Sequence, residues 1–323
     1  PELFQEIIKQ AQNYDEVILT YMERGTQIVI TANAKGVQSK TSDVTTPILD
    51  TPKTAHIGNR AYLIKVGQAD ALLKEIGILS QDGKIKNDMI RKYNQIDHFV
   101  ELIDKLLKEL PQGDLVTVLD CGCGKSYLSF VLNFYLKNIL KRPCQFIGLD
   151  YSETVIEASR KMAKNLAYHN MTFIQTDILA YTPDRPIDLV ISLHACDTAT
   201  DMALGLGIRT HAKAMVSVPC CQKELLGQIK YEPFAPIFKH GILKARMADA
   251  LTDGLRALKL EACGYEVSVL EYISPLETPK NLMLRAVKTK AQNIAATAEY
   301  NTLKKLLGVS PAIDYYSEQI GEM

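Results

Sequence analysis

No charge of one sign is in excess. Thirty-seven lysines and arginines cancel 37 aspartates and glutamates. A whole-molecule field of the kind that draws in polyanions or membrane surfaces is therefore excluded, and only local patches remain for such a role. No apolar run reaches the roughly 18 residues that suggest a membrane span. No low-complexity tract interrupts a composition that is 47% hydrophobic and 23% charged, which is ordinary for a globular protein. The seven cysteines include no C-x-x-C pair, and residues 1 to 110 hold no Cys/His zinc module, so no metal is expected. Their odd number, in a chain of 323 residues, favours reduced thiols over a disulfide framework. The opening Pro1-Glu-Leu-Phe-Gln-Glu has no signal-peptide pattern, and a cytoplasmic setting is the expectation.

What the sequence does have is one dense stretch. Leu115-Val-Thr-Val-Leu-Asp120-Cys-Gly122-Cys-Gly124-Lys-Ser126 reads as a buried parallel strand that ends in a tight turn and opens an apolar helix. The two glycines let the backbone turn sharply and let a ligand lie directly on it. Upstream, Asp88 to Leu110 carries an apolar stripe at three- and four-residue spacing and predicts a helix. Downstream, strands ending at Asp150, Asp177, His194 and Pro219 alternate with helices, and two last strands flank residues 274–281. This alternation predicts an α/β fold: a doubly wound, mainly parallel seven-stranded sheet with an antiparallel last strand.

Three domains are expected. Residues 1–85 form a small α+β unit for substrate docking or capping. In it, Leu3, Ile7 and Ile8 start a helical stripe that Val17-Ile-Leu-Thr-Tyr continues, followed by a hairpin across Asn33 to Gly36. Residues 86–288 form the main domain. Residues 289–323 form a C-terminal helix, stopped at Gly308 and Pro311, and a tail.

Ligands of doubly wound sheets bind beyond the carboxyl ends of the strands. Three cofactors compete for the glycine turn. A phosphate-binding P-loop needs glycine where Leu119 stands, so Gly124-Lys125-Ser126 is not such a loop. A dinucleotide site wants a third glycine where Tyr127 stands. S-adenosylmethionine fits better, because it carries no phosphate. Asp120 can receive polar contacts near its methionine end, Asp150 both ribose hydroxyls, and Asp177 the adenine amino group. Tyr151 and Ile178, next in sequence to the latter two acids, are assigned to the same site.

Val118-Leu-Asp-Cys-Gly-Cys-Gly resembles motif I of the class I methyltransferases, and Gly148-Leu-Asp150 and Thr176-Asp177 resemble the next two motifs. The resemblance covers about residues 110 to 288. It implies S-adenosylmethionine as cofactor and methyl transfer as activity. Ser192-Leu-His-Ala-Cys-Asp197 and Val218-Pro-Cys-Cys-Gln222 resemble a narrower group that includes the eukaryotic tRNA acceptor-stem 2′-O-methyltransferase. That likeness implies RNA, tRNA or rRNA, as acceptor. Gln222 stands where the group often has His or Tyr, and the zinc module of the tRNA enzyme is missing. A protein side chain or a small metabolite as acceptor, or a scaffold that binds the cofactor without catalysis, stays open.

Each residue singled out also has a plainer reading. Asp120, Gly122 and Gly124 could be only a sharp turn, Asp150 a helix N-terminal acid, and Asp177 a turn residue. His194 and Asp197 are the candidate catalytic pair, as base or substrate contact, although Asp197 could equally cap the following helix. Cys196, Pro219, Cys220 and Cys221 are assigned to the substrate pocket. A thiol nucleophile, or a metal held by His194 and the three cysteines, is the sharper reading of Cys220-Cys221. Lys92 and Gln95 are candidate cofactor contacts from the helix ahead of the first strand.

Overall fold

The computed structural model describes residues 14–23, 26–43, 61–110, 115–193, 195–273 and 280–318. The chain divides into two compact units, Pro1–Arg60 and Ala61–Met323.

In the first unit, strands β1 (Glu16–Glu23), β2 (Thr26–Asn33) and β3 (Gly36–Asp43) form an antiparallel meander. This corrects the expectation of a helix through Val17-Ile-Leu-Thr-Tyr. These residues are β-branched, leucyl or aromatic, and they bury with period two: Val17 and Leu19 are half-buried while Ile18 and Thr20 are exposed. Leu19 lies opposite Ile30 in the ladder. The hairpin at Asn33 to Gly36 forms as expected, with Gly36 at φ +125°. Leu3, Ile7 and Ile8 lie outside the described residues.

The second unit begins earlier than residue 86. Tyr62 stacks on Tyr93 with ring centres 4.8 Å apart. The backbone N–H groups of Leu63 and Ile64 donate to Asp97 at 2.7 and 2.9 Å. Asp97 is nearly fully buried, and these two donors help to satisfy its carboxylate. Helix α1 (Asp70–Glu75) buries Leu72 and Leu73 in the same core as α2 (Ile90–Glu109).

From there strand and helix alternate. β4 (Val116–Cys121) leads to α3 (Tyr127–Phe134), whose last turn widens through Tyr135–Ile139. β5 (Cys144–Asp150), α4 (Glu153–Asn165), β6 (Met171–Gln175), β7 (Leu189–Ser192), α5 (Thr198–Arg209) and β8 (Ala214–Ser217) follow. A short α6 (Ala235–Phe238) precedes α7 (Gly241–Ala262). β9 (Tyr265–Glu271), β10 (Leu282–Lys288), α8 (Ile294–Leu307) and α9 (Ala312–Glu318) complete the chain.

The seven strands β4 to β10 lie in the order β6-β5-β4-β7-β8-β10-β9. β4 to β8 are mutually parallel, and β10 runs antiparallel between β8 and β9. The expected doubly wound sheet is therefore present. Its two faces separate cleanly along β4: Val118 joins the core with Phe99, Ile103 and Phe130, and Leu119 joins that with Val190, Leu204 and Met215. Helix α9 was not foreseen, because Pro311 reads as a stop. The missing N–H that ends one helix is tolerated at the start of the next.

Candidate active site

The parallel strands deliver their carboxyl ends to one edge, and the glycine turn sits there. After Cys121 the backbone enters positive φ at Gly122 (+69°) and Gly124 (+52°). A Cβ on Gly122 would come 3.2 Å from the Cβ of Ala195, a tight approach that adds to the strain of a side chain at positive φ. At Gly124 nothing lies within 4 Å of where a Cβ would be. The space in front of it belongs to a cavity of about 790 Å³.

Asp120 lines that cavity with its carboxyl group almost fully buried. Ser129 Oγ donates to it at 2.6 Å. Burial pushes the Asp120 carboxyl up to about 7; the Ser129 hydroxyl opposes this and the nearby Asp150 adds to it. Asp150 itself holds the turn together. Its Oδ2 accepts from the Gly124 N–H and its Oδ1 from the Ser152 N–H, each at 2.9 Å.

The remaining walls come from four other segments. Lys92 and Gln95 enter from α2, Leu193 follows β7, Val218 and Cys220 follow β8, and Tyr272 and Lys280 flank residues 274–279. The Lys92 ammonium lies 4.0 Å from the ring centre of Tyr127. Burial, and then the charge of Lys125, hold its pKa below the usual lysine value. Lys280 donates to Gln222 and Asp249, at 2.7 and 2.8 Å.

The cavity thus brings together Lys92, Gln95, Asp120, Gly124 and Cys220 of the sequence-predicted site. Gly122, Asp150, Tyr151, Asp177, Ile178, Cys196, Asp197 and Cys221 do not line it. Tyr151 is 82% exposed, whereas Ile178 is packed in the core. Asp177 is exposed and accepts from the Leu179 N–H at 2.8 Å, capping a short 3₁₀ turn. Pro219 lines a neighbouring cavity of about 480 Å³ with Gln222 and Lys280. His194 lies outside the described residues.

Asp197 is not the side-chain cap that its position before α5 suggests. Its φ of +54° turns the carboxylate away from the helix. Oδ1 accepts instead from the N–H groups of Lys223 and Glu224, at 2.9 and 3.1 Å. Asp197 therefore ties the loop after β7 to the loop after β8. Arg256 of α7, 1% exposed, reinforces the same tie. It donates to Asp201 at 2.6 and 2.9 Å, to Asp253 at 3.0 Å and to the Asp197 carbonyl at 2.9 Å. Gln222 donates to Asp253 from the other loop at 2.8 Å.

Sequence reasoning missed Ser129, Tyr272 and Arg256. Ser129 had a usable signal: it lies one helical turn after Ser126, where it can face back over the strand end. Tyr272 and Arg256 had none, because nothing in their neighbourhood distinguishes them from packing residues. Three thiols also meet here. Cys196 Sγ lies 3.2 Å from Cys220 Sγ, and the Sγ atoms of Cys196, Cys220 and Cys221 all fall within 4.8 Å of one another.

Residues 91–228 match the model of a methyltransferase domain family. They span α2 through β8 and include the whole glycine turn. Over these residues, somewhat less than half of the chain, the protein is similar to a methyltransferase domain. The chain is similar, at 27% identity over 233 residues, to the glutathione S-transferase C-terminal domain-containing protein of Homo sapiens. That match covers 64% of the chain and 35% of the human protein, so the chain spans about a third of the length of the curated relatives it matches. A shorter match, 32% identical over 78 residues, is to a protein-lysine N-methyltransferase of Schizosaccharomyces pombe; it covers 24% of the chain and 33% of that protein. Among solved structures, the magnesium protoporphyrin IX methyltransferase of Synechocystis PCC 6803 is 16% identical. It aligns with 70% of the chain and 93% of its own length at a TM-score of 0.38.

S-adenosylmethionine, the cofactor that the sequence resemblance implies, fits the residues present. At Gly124 the space in front of the backbone is open, and the buried Asp120 lines the same cavity. No helix among the described residues is long and apolar enough to cross a membrane.

Proposed function

We propose that the domain methylates RNA, tRNA or rRNA, by direct transfer from S-adenosylmethionine. One observation carries the reading. A single cavity runs from the glycine turn to the loops after β7 and β8, and among the described residues Arg91, Lys92, Lys125 and Lys280 line it against two acids, Asp88 and Asp120. A local basic lining in a neutral chain suits a polyanionic acceptor. It suits the ammonium group of a substrate lysine poorly, although the match to a protein-lysine methyltransferase supports that second reading. The resemblance of Ser192 to Asp197 and Val218 to Gln222 to the tRNA 2′-O-methyltransferase group favours RNA.

The cofactor supplies an activated methyl group when bound, so the protein's main task is in-line positioning. Gly122 and Gly124 would let the backbone approach it, Asp120 would receive its methionine end, and Asp150, which holds the turn, would accept from the ribose. Asp177, Tyr151 and Ile178 would take the adenine side, and Lys92 and Gln95 would close over it from α2. His194 takes the proton of a neutral oxygen or nitrogen acceptor. Asp197 fixes the two loops that frame the acceptor, and Cys196, Pro219, Cys220 and Cys221 form its walls.

The test uses labelled S-adenosylmethionine with RNA and protein fractions from cells lacking this protein. Label in an RNA fraction, lost with Asp150→Ala, supports the reading. Label confined to protein overturns it in favour of a side-chain acceptor.

A further inference from the structure

We propose that Cys196, Cys220 and Cys221 form a binding site for a thiophilic divalent cation, zinc above all. The inference is independent of which acceptor is methylated. Sequence spacing disfavours such a site, because two of the ligands are adjacent and C-x-x-C is missing. The fold removes the objection by supplying the third sulfur from the loop after a neighbouring strand. β7 and β8 are parallel neighbours with Ser192 opposite Ser217, and Cys196 and the Cys220-Cys221 pair follow those two ends within a few residues.

The geometry suits a small tetrahedral ion. With zinc–sulfur bonds of about 2.3 Å, the sulfurs of a tetrahedral site stand about 3.8 Å apart. Here Cys196 and Cys220 are at 3.2 Å and all three sulfurs lie within 4.8 Å. A disulfide, at about 2.05 Å, would use two of these sulfurs and leave the third without a role.

A bound divalent cation holds coordinating thiols as thiolates. The site also has an entry path, since Cys196 is exposed. Cysteines 121, 123 and 144 are buried and take no part in the cluster.

Three ligands leave a tetrahedral ion one further position, the arrangement in which zinc keeps an exchangeable ligand. Cys220 also lines the main cavity, so an ion bound there carries its charge to the acceptor side of that cavity.

The experiment measures metal content and affinity on the full chain, purified with a non-thiol reductant. Zinc is quantified by elemental analysis and by chromophoric capture on thiol titration, and cobalt substitution is followed by absorption. Close to one zinc per chain, and thiolate-to-cobalt charge transfer with tetrahedral visible bands, are expected. Cys220→Ser and Cys196→Ser should weaken zinc at least about 10-fold, the lower limit for losing even a supporting group around zinc, while Cys263→Ser leaves it unchanged. Circular dichroism of each variant separates ligand loss from unfolding. Zinc held equally by the parent and a folded Cys220→Ser variant overturns the proposal. So does a metal-free chain with a Cys196–Cys220 disulfide.

Discussion

The carboxylate of Asp150, at the end of β5, accepts a hydrogen bond from the backbone N–H of Gly124, 2.9 Å away in the turn after β4. The acid that would receive the ribose is thus also the clasp of the glycine turn. Asp150→Ala removes a charge-assisted bond worth roughly 1.5–3 kcal/mol and releases the turn. Affinity for S-adenosylmethionine should fall about 10- to 100-fold by calorimetry, with Asp150→Asn in between. An unchanged affinity in the alanine variant would remove Asp150 from the cofactor site.

Asp120 makes stability depend on pH. In the unfolded chain it titrates near the ordinary 3.8, whereas burial holds it near 7 in the fold, so the folded state keeps the proton longer. Its contribution to stability is complete below about pH 4 and is lost as pH rises to about 7. Asp120→Asn cannot ionise and loses this slope. Between pH 4 and 8, denaturant unfolding should shift in the variant's favour by roughly 2–4 kcal/mol relative to the parent. Ser129→Ala, which deletes the donor that favours the carboxylate, should move the parent's transition to higher pH. Parallel pH profiles for parent and Asp120→Asn would show that Asp120 ionises normally.

Helices α5 and α9 touch through Gly205. A Cβ there would stand 2.7 Å from the backbone carbonyl of Tyr316. Overpacking of this kind costs about 1–3 kcal/mol, which outweighs the gain of up to about 1 kcal/mol from alanine's helix propensity. Gly205→Ala should therefore melt earlier and speed hydrogen exchange in residues 312–318. A variant more stable than the parent would mean that the two helices part without loss.

Arg256 holds two buried acids. Arg256→Met strands Asp201 and Asp253, whose carboxyls burial already pushes above their usual range. Removing one member of a buried ion pair costs about 3–5 kcal/mol, and urea unfolding should register a loss of that size. A loss below about 1 kcal/mol would indicate that water replaces the guanidinium.

The sheet and the glycine turn were legible in the sequence because each rests on local signals. Five β-branched or leucyl residues followed by Asp120 and two glycines dictate a strand end and a turn. The β-α alternation then leaves little choice of topology. Val17 to Tyr21 misled because four apolar residues with one threonine among them satisfy a short helical stripe as readily as a strand, and only pairing with β2 decides. Asp197 looked like a helix cap because its spacing is that of a cap; its positive φ, which redirects the carboxylate to Lys223 and Glu224, leaves no mark on the sequence. The approach of Cys196 to Cys220 was hidden for another reason. It depends on β7 and β8 being neighbours, a relationship between residues more than twenty positions apart.

β10 runs against the other strands, so its beginning, not its end, reaches the ligand edge. Tyr272 and Lys280 consequently stand on that edge as the two posts of one loop, and Asn281 braces them by donating to the Ile273 carbonyl at 2.8 Å. The β9–β10 pairing thus carries both residues to the cavity from the opposite chain direction to the parallel strands, so this wall and the glycine turn rest on separate strand pairs of one sheet.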